Sequence, residues 1–80
     1  MLTKDTVIDR IEILETGHVQ VRRAAYILED GKRIAGPEYH RVAYDPGTSV
    51  INEDQRVKAL CKVIWTPELI ASYKAKLEKL

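Results

Sequence analysis

Trp65-Thr66-Pro67-Glu68 is the stretch that most restricts what this chain can become. The Thr66 hydroxyl can cap a helix, Pro67 has the fixed φ and missing N–H that suit a first helical position, and Glu68 sets negative charge in the first turn. A helix therefore starts here. Pro67 also disfavours the α conformation at Thr66, so a preceding helix must stop by Trp65, and the two helices are joined by one or two residues. They are obliged to be neighbours. Trp65 and Ile70 stand at the spacing of a hydrophobic staple, which fixes the angle at which the chain enters the second helix.

The first helix is expected over 53–64. Asn52 is its expected cap, with Gln55 as the reciprocal partner of a capping box, and Glu53 and Asp54 complement the positive helix end. Val57, Leu60, Cys61 and Ile64 recur on one face, with Arg56, Lys58 and Lys62 elsewhere. The second helix is expected over 67–79, with Leu69, Ile70, Tyr73, Leu77 and Leu80 inward and Lys74, Lys76, Glu78 and Lys79 outward.

Upstream the period changes from helical to alternating. Residues 6–15 are rich in β-branched side chains, with Val7, Ile11 and Ile13 on one face and Asp9 interrupting that row, and they read as a strand. Thr16-Gly17 is a short turn, and a second strand is expected over 18–29, opening on alternating Val19 and Val21. Asp30-Gly31 is a strong hairpin signal. A third strand, 33–44, meets Gly36-Pro37 and is expected to be an edge or a bent strand; Asp45-Pro46-Gly47 then turns the chain. Arg23 falls in the row of Val19, Val21, Ala25 and Ile27. Either a bulge near Arg22-Arg23 turns it outward, which is the favoured expectation, or it sits at the sheet margin or pairs with a carboxylate.

Strands followed by helices make this an α+β domain: a three-stranded antiparallel β-meander with the helix pair packed on one sheet face, as a single domain over 1–80. Both sheet margins expose unpaired backbone groups, so the edges need protection or another chain. With 45% hydrophobic and 31% charged residues the chain has the composition of a globular domain. The 80 residues allow only a small core. The net charge of +1 gives no global attraction to nucleic acid or to anionic membranes. No basic segment followed by an apolar run opens the sequence and no apolar stretch approaches the ~18 residues of a membrane helix, so neither a signal peptide nor a membrane partner is expected.

Catalytic chemistry finds little footing. One cysteine, Cys61, precludes an internal disulfide; on the apolar face of a helix it reads as a small hydrophobe more than a nucleophile served by His18 or His40. Two histidines without H-x-x-x-H or H-x-H spacing do not make a metal site, and no phosphate-cradling glycine motif is present. Neither cofactor, metal nor catalytic residue is expected. The polar cluster that stands out is Arg22, Arg23, Tyr26, Tyr39, His40 and Arg41, which the second and third strands can bring to one sheet face. Arginines and aromatics are enriched in protein interfaces and can also stack bases and neutralise phosphates; the plainer reading is a solvated face salted by Asp9, Glu12 and Glu38.

The succession His18-Val19-Gln20-Val21-Arg22, Ile27-Leu28-Glu29-Asp30-Gly31, Tyr39-His40-Arg41, Pro46-Gly47 and Arg56-Val57, closing on Trp65-Thr66-Pro67-Glu68, resembles a group of short bacteriophage and prophage proteins encoded among tail and other virion genes. The resemblance spans nearly the whole chain and implies a phage setting, in the virion or the host bacterial cytoplasm, without assigning an activity or catalytic residues. The expectation is a non-enzymatic interaction module or minor virion-associated component that binds a phage structural protein or itself. The alternative is a nucleic-acid-binding or host-directed regulatory protein using the arginine and aromatic face.

Overall fold

Runs of β-branched side chains build three strands, β1 (Leu2–Ile13), β2 (Val19–Glu29) and β3 (Lys32–Tyr44), followed by helices α1 (Gln55–Ile64) and α2 (Pro67–Glu78). They belong to a computed structural model that describes residues 1–79, so Leu80 and its expected inward side chain lie outside the described residues. The strands form one antiparallel sheet in the order β1-β2-β3. The fold is thus the α+β meander with two C-terminal helices. Asp30 (φ 49°) and Gly31 (φ 86°) form the two-residue β2–β3 turn, with positive φ at both positions as the twist of a tight hairpin requires.

β1 is longer at its start than the alternating pattern implied, beginning at Leu2 instead of Thr6 and ending at Ile13 instead of Glu15. Its pairing with β2 shifts between Ile8 and Arg10, so Asp9 is an extra residue opposite the Arg22-Arg23 step. The irregularity expected there exists, but on the facing strand. It changes the parity of β1: Ile8 and Ile11 both pack on the core, whereas Val7 moves to the opposite face beside Ala24. Val7, Ile11 and Ile13 therefore do not share a row. A carboxylate in an apolar row costs free energy, and one extra residue removes it from that row. Arg23 is not turned outward by any bulge in β2; it stays on the helix side and is neutralised by Glu53. β3 carries two further irregularities, at Ile34 and at Gly36-Pro37, and is a bent edge strand as Pro37 demands.

The core is small: Val19 and Val21 of β2 meet Val57 and Cys61 of α1, surrounded by Ile8, Ile11, Tyr44, Val50, Ile64 and Trp65. α1 thus covers the helix-side face of the sheet near its β1–β2 turn. Its cap is Asp54, whose side chain accepts from the Arg56 N–H at 2.9 Å, and not Asn52. The expected capping box of Asn52 and Gln55 does not form, because the helix starts at Gln55 with Asp54 as its cap; Glu53 turns instead to Arg23 and Tyr44.

α2 lies against the turns. Thr66 caps it, accepting from the Leu69 N–H at 3.2 Å, with Pro67 at its start. Trp65 donates its indole N–H to the Gly17 carbonyl at 2.6 Å. Leu69 lies over Gly17 and Ile70 over Gly47, and the Tyr73 ring meets His18 edge-on at 5.2 Å. No residue of α2 is fully buried, and Leu77, expected inward, is exposed. The remainder of the sheet projects past both helices as an arm. The molecule measures 53 × 24 × 17 Å with a radius of gyration of 16.3 Å, where a compact domain of this length has about 12 Å.

Candidate functional site

The face of the sheet opposite α1 is open, and strand alternation decides what it carries. Arg22, Ala24 and Tyr26 of β2 point to this side, as do their register partners Arg41 and Tyr39 of β3 and Asp5 and Val7 of β1. Ala24, wholly buried, lies between Val7 and Tyr39. It floors a short apolar row across the three strands.

Two arginines are fixed on this face by the same pair of contacts. Arg22 donates from Nε to both Asp9 oxygens (3.0 and 3.1 Å) and from Nη2 to Asp9 Oδ2 (2.6 Å), while its guanidinium lies 4.2 Å from the centre of the Tyr39 ring. The hydrogen bonds from Arg22 hold the Asp9 carboxyl below its ordinary range, and the same bonds raise the Arg22 pKa. Further along, Arg33 stacks on Tyr26 at 3.9 Å and reaches Asp5 Oδ2 at 3.5 Å. Each set is an aspartate, an arginine and a tyrosine, one from each strand. The planar guanidinium suits both partners, since it forks onto a carboxylate and stacks on a ring at once.

Arg41 differs. It sits directly opposite Arg22, and among the described residues no carboxylate lies within 4 Å of it. With exposed Tyr39 it presents an uncompensated cation beside an aromatic ring.

The six residues singled out from the sequence therefore divide. Arg22, Tyr26, Tyr39 and Arg41 share the open face, whereas Arg23 and its partner His40 belong to the helix side. There the Glu53 carboxylate accepts from the Arg23 guanidinium and the Tyr44 hydroxyl, and from the Asp54 N–H at 2.9 Å. Arg23 is the main reason that Glu53 is lowered from 4.5 to about 2, with Tyr44 assisting against burial. The same contact raises Tyr44, because ionising the phenol would set two anions together. This network anchors α1. His40 is exposed, its Nε2 3.7 Å from Glu38 Oε1. Asp5, Asp9 and Arg33 complete the open-face sets; of these only Asp9 announced itself in the sequence, as a charge in an apolar row.

Cys61 is buried, and burial pushes its thiol up, away from the thiolate a nucleophile needs. Among the described residues no three potential ligands gather as a metal site. His18 hydrogen-bonds Thr16 Oγ1 through Nδ1 at 2.6 Å and sets its Nε2 3.2 Å from Asp45 Oδ1, and so ties the β1–β2 turn to the turn after β3. Beside it runs a cleft of about 260 Å³ whose walls include Thr16, Leu69, Tyr73 and Lys76. Burial, and then Asp45, raise the Tyr73 pKa. No helix among the described residues is long and apolar enough to cross a membrane. Compared with known protein families, curated proteins and solved structures, the chain matches none of them.

Proposed function

We propose that this chain is a non-enzymatic phage or prophage protein that works as a protein-interaction module, a minor tail- or virion-associated component acting in the virion or the host cytoplasm, with the open sheet face as its docking surface. The observation that carries this reading is the pre-ordered pair of Arg22 and Tyr39 with Arg41 directly opposite Arg22. Arg22 is already clamped by Asp9 and stacked on Tyr39, so docking orders little that is not already ordered, which favours affinity. Tyrosine and arginine anchors around an apolar floor are the composition of an interface hot spot.

Tagged protein purified from cells with an active parent phage or prophage should recover a virion protein in stoichiometric amount. Tyr39→Ala with Arg41→Ala should abolish that recovery at any moderate salt concentration. Recovery of nucleic acid alone, lost steeply as salt rises, would overturn the reading and transfer Arg22 and Arg41 to phosphate binding.

A further inference from the structure

The arm of the sheet beyond Asp9 is incomplete as it stands. Leu2 and Ile27 lie on its helix side yet are 65% and 45% exposed, outside the cluster that packs against α1. Between Lys4, Ile27 and the Gly36-Pro37 bulge runs a groove of about 270 Å³. The chain exposes 5960 Å² for a mass of 9.1 kDa, whereas a self-sufficient monomer of this mass exposes about 4,900 Å². The excess, about 1,000 Å² per chain, is what each member of a stable pair buries in an interface of about 2,000 Å².

The two edges of the arm are unequal. β3 is interrupted at Ile34 and at Gly36-Pro37, and Pro37 has no N–H to offer, so this edge resists strand addition. From Leu2 to Ile8, β1 pairs with β2 without interruption, and its outer margin is free because β1 ends the sheet. Seven regular residues without glycine or proline form an open template.

We propose that a second copy of this chain adds to that margin, β1 against β1 and antiparallel, giving a continuous six-stranded sheet about a two-fold axis. This rests on the reading of the protein as an interaction module and names one partner as the chain itself. Alternation requires residues of the same face to oppose one another, so the axis passes through a residue. An axis at Lys4 or at Asp5 sets like charges directly opposite, which is unfavourable. An axis at Val7 sets Asp5 opposite Asp9 of the second chain, again like charges, so the axis falls at Thr6, which meets its own copy, with Lys4 opposite Ile8 of the second chain. A net charge of +1 per chain opposes this association little.

Sedimentation equilibrium of the full chain should return about twice the 9.1 kDa monomer mass. Thr6→Lys, at an exposed position, should weaken self-association at least tenfold, about 1.4 kcal/mol, with an unchanged circular dichroism spectrum. Ala35→Lys on the β3 edge should leave the dimer intact. Hydrogen exchange of the wild type supplies the same answer without a variant: the outward amides between Thr3 and Ile8 should be protected increasingly as protein concentration rises. A wild type that is monomeric throughout, or a dimer that survives Thr6→Lys, overturns the proposal. A monomer that still recovers its virion partner sinks the dimer alone, and a dimer that recovers none sinks the open-face reading alone.

Discussion

Glu53 stands just before α1 with its side chain only 5% exposed, and a carboxylate so placed is tolerated only when its charge is matched. Arg23 and Tyr44 match it, and its pKa lies near 2 against an ordinary 4.5. A depressed carboxylate pKa means that the stabilisation is complete above about pH 4.5 and is lost as pH falls towards 2. The shift corresponds to at most about 3 kcal/mol. Glu53→Gln should therefore unfold in urea about 2–3 kcal/mol more easily at pH 7, and the gap to the wild type should close between pH 4.5 and 2. A gap of the same size at pH 2 would mean that the charge is not what binds α1 to the sheet. Gly17 constrains the same joint from the turn. It has φ +94°, and a Cβ there would stand 2.5 Å from Leu69 Cδ2. Gly17→Ala should cost about 1–3 kcal/mol through backbone strain, and Leu69→Ala in the same chain should recover only the steric part of that loss.

At the scale of elements, turns and helices were legible because short-range chemistry specifies them. Asp30-Gly31 and Thr66-Pro67 set their own backbone geometry, and the sequence names them directly. Asn52 with Gln55 was read as a capping box because that is a local pattern, whereas the helix starts two residues later, where the Asp54 carboxylate accepts from the Arg56 N–H. The candidate site was half legible for the same reason. Alternation along β2 correctly sets Arg22 with Tyr26, but Arg23 joins them only if β2 is bulged at that step, and the pairing shows that it is not: β2 runs regularly through Arg22 and Arg23, and His40 pairs with Arg23 on the helix side. The β1 bulge has a testable consequence. Removing Asp9 leaves Ile8 and Arg10 adjacent, opposite Arg23 and Arg22 that are already adjacent, so the deletion should regularise the ladder and keep Ile8 and Ile11 on the core. Deleting Thr6, within the regular stretch, should instead turn Leu2 to Asp5 over to the wrong face. Amide spectra should show native dispersion throughout for the first variant and loss of the arm signals for the second.

The whole molecule is two halves of unequal support on one sheet. Near the β1–β2 turn, α1 and Trp65 close over Val19 and Val21, which are wholly buried; towards Asp30-Gly31 the strands hold each other through backbone pairing and the stacked pair of Arg33 and Tyr26. Free energy should therefore grade along the 53 Å axis, since local stability follows the apolar contacts that each segment buries. Val21→Ala removes buried methyl groups and leaves a void that α1 and the strands fill only in part, which should cost about 2–3 kcal/mol. Ile27→Ala deletes a larger side chain from the arm, but 45% of that residue already faces solvent. It should cost less than about 1.5 kcal/mol, because the lost transfer term is reduced and no enclosed cavity forms. Made in the Thr6→Lys background, where the arm stands alone, the two substitutions compared by urea unfolding separate the halves. Equal losses would mean that the arm is as tightly covered as the core, and would remove the main reason for expecting a second chain beside it.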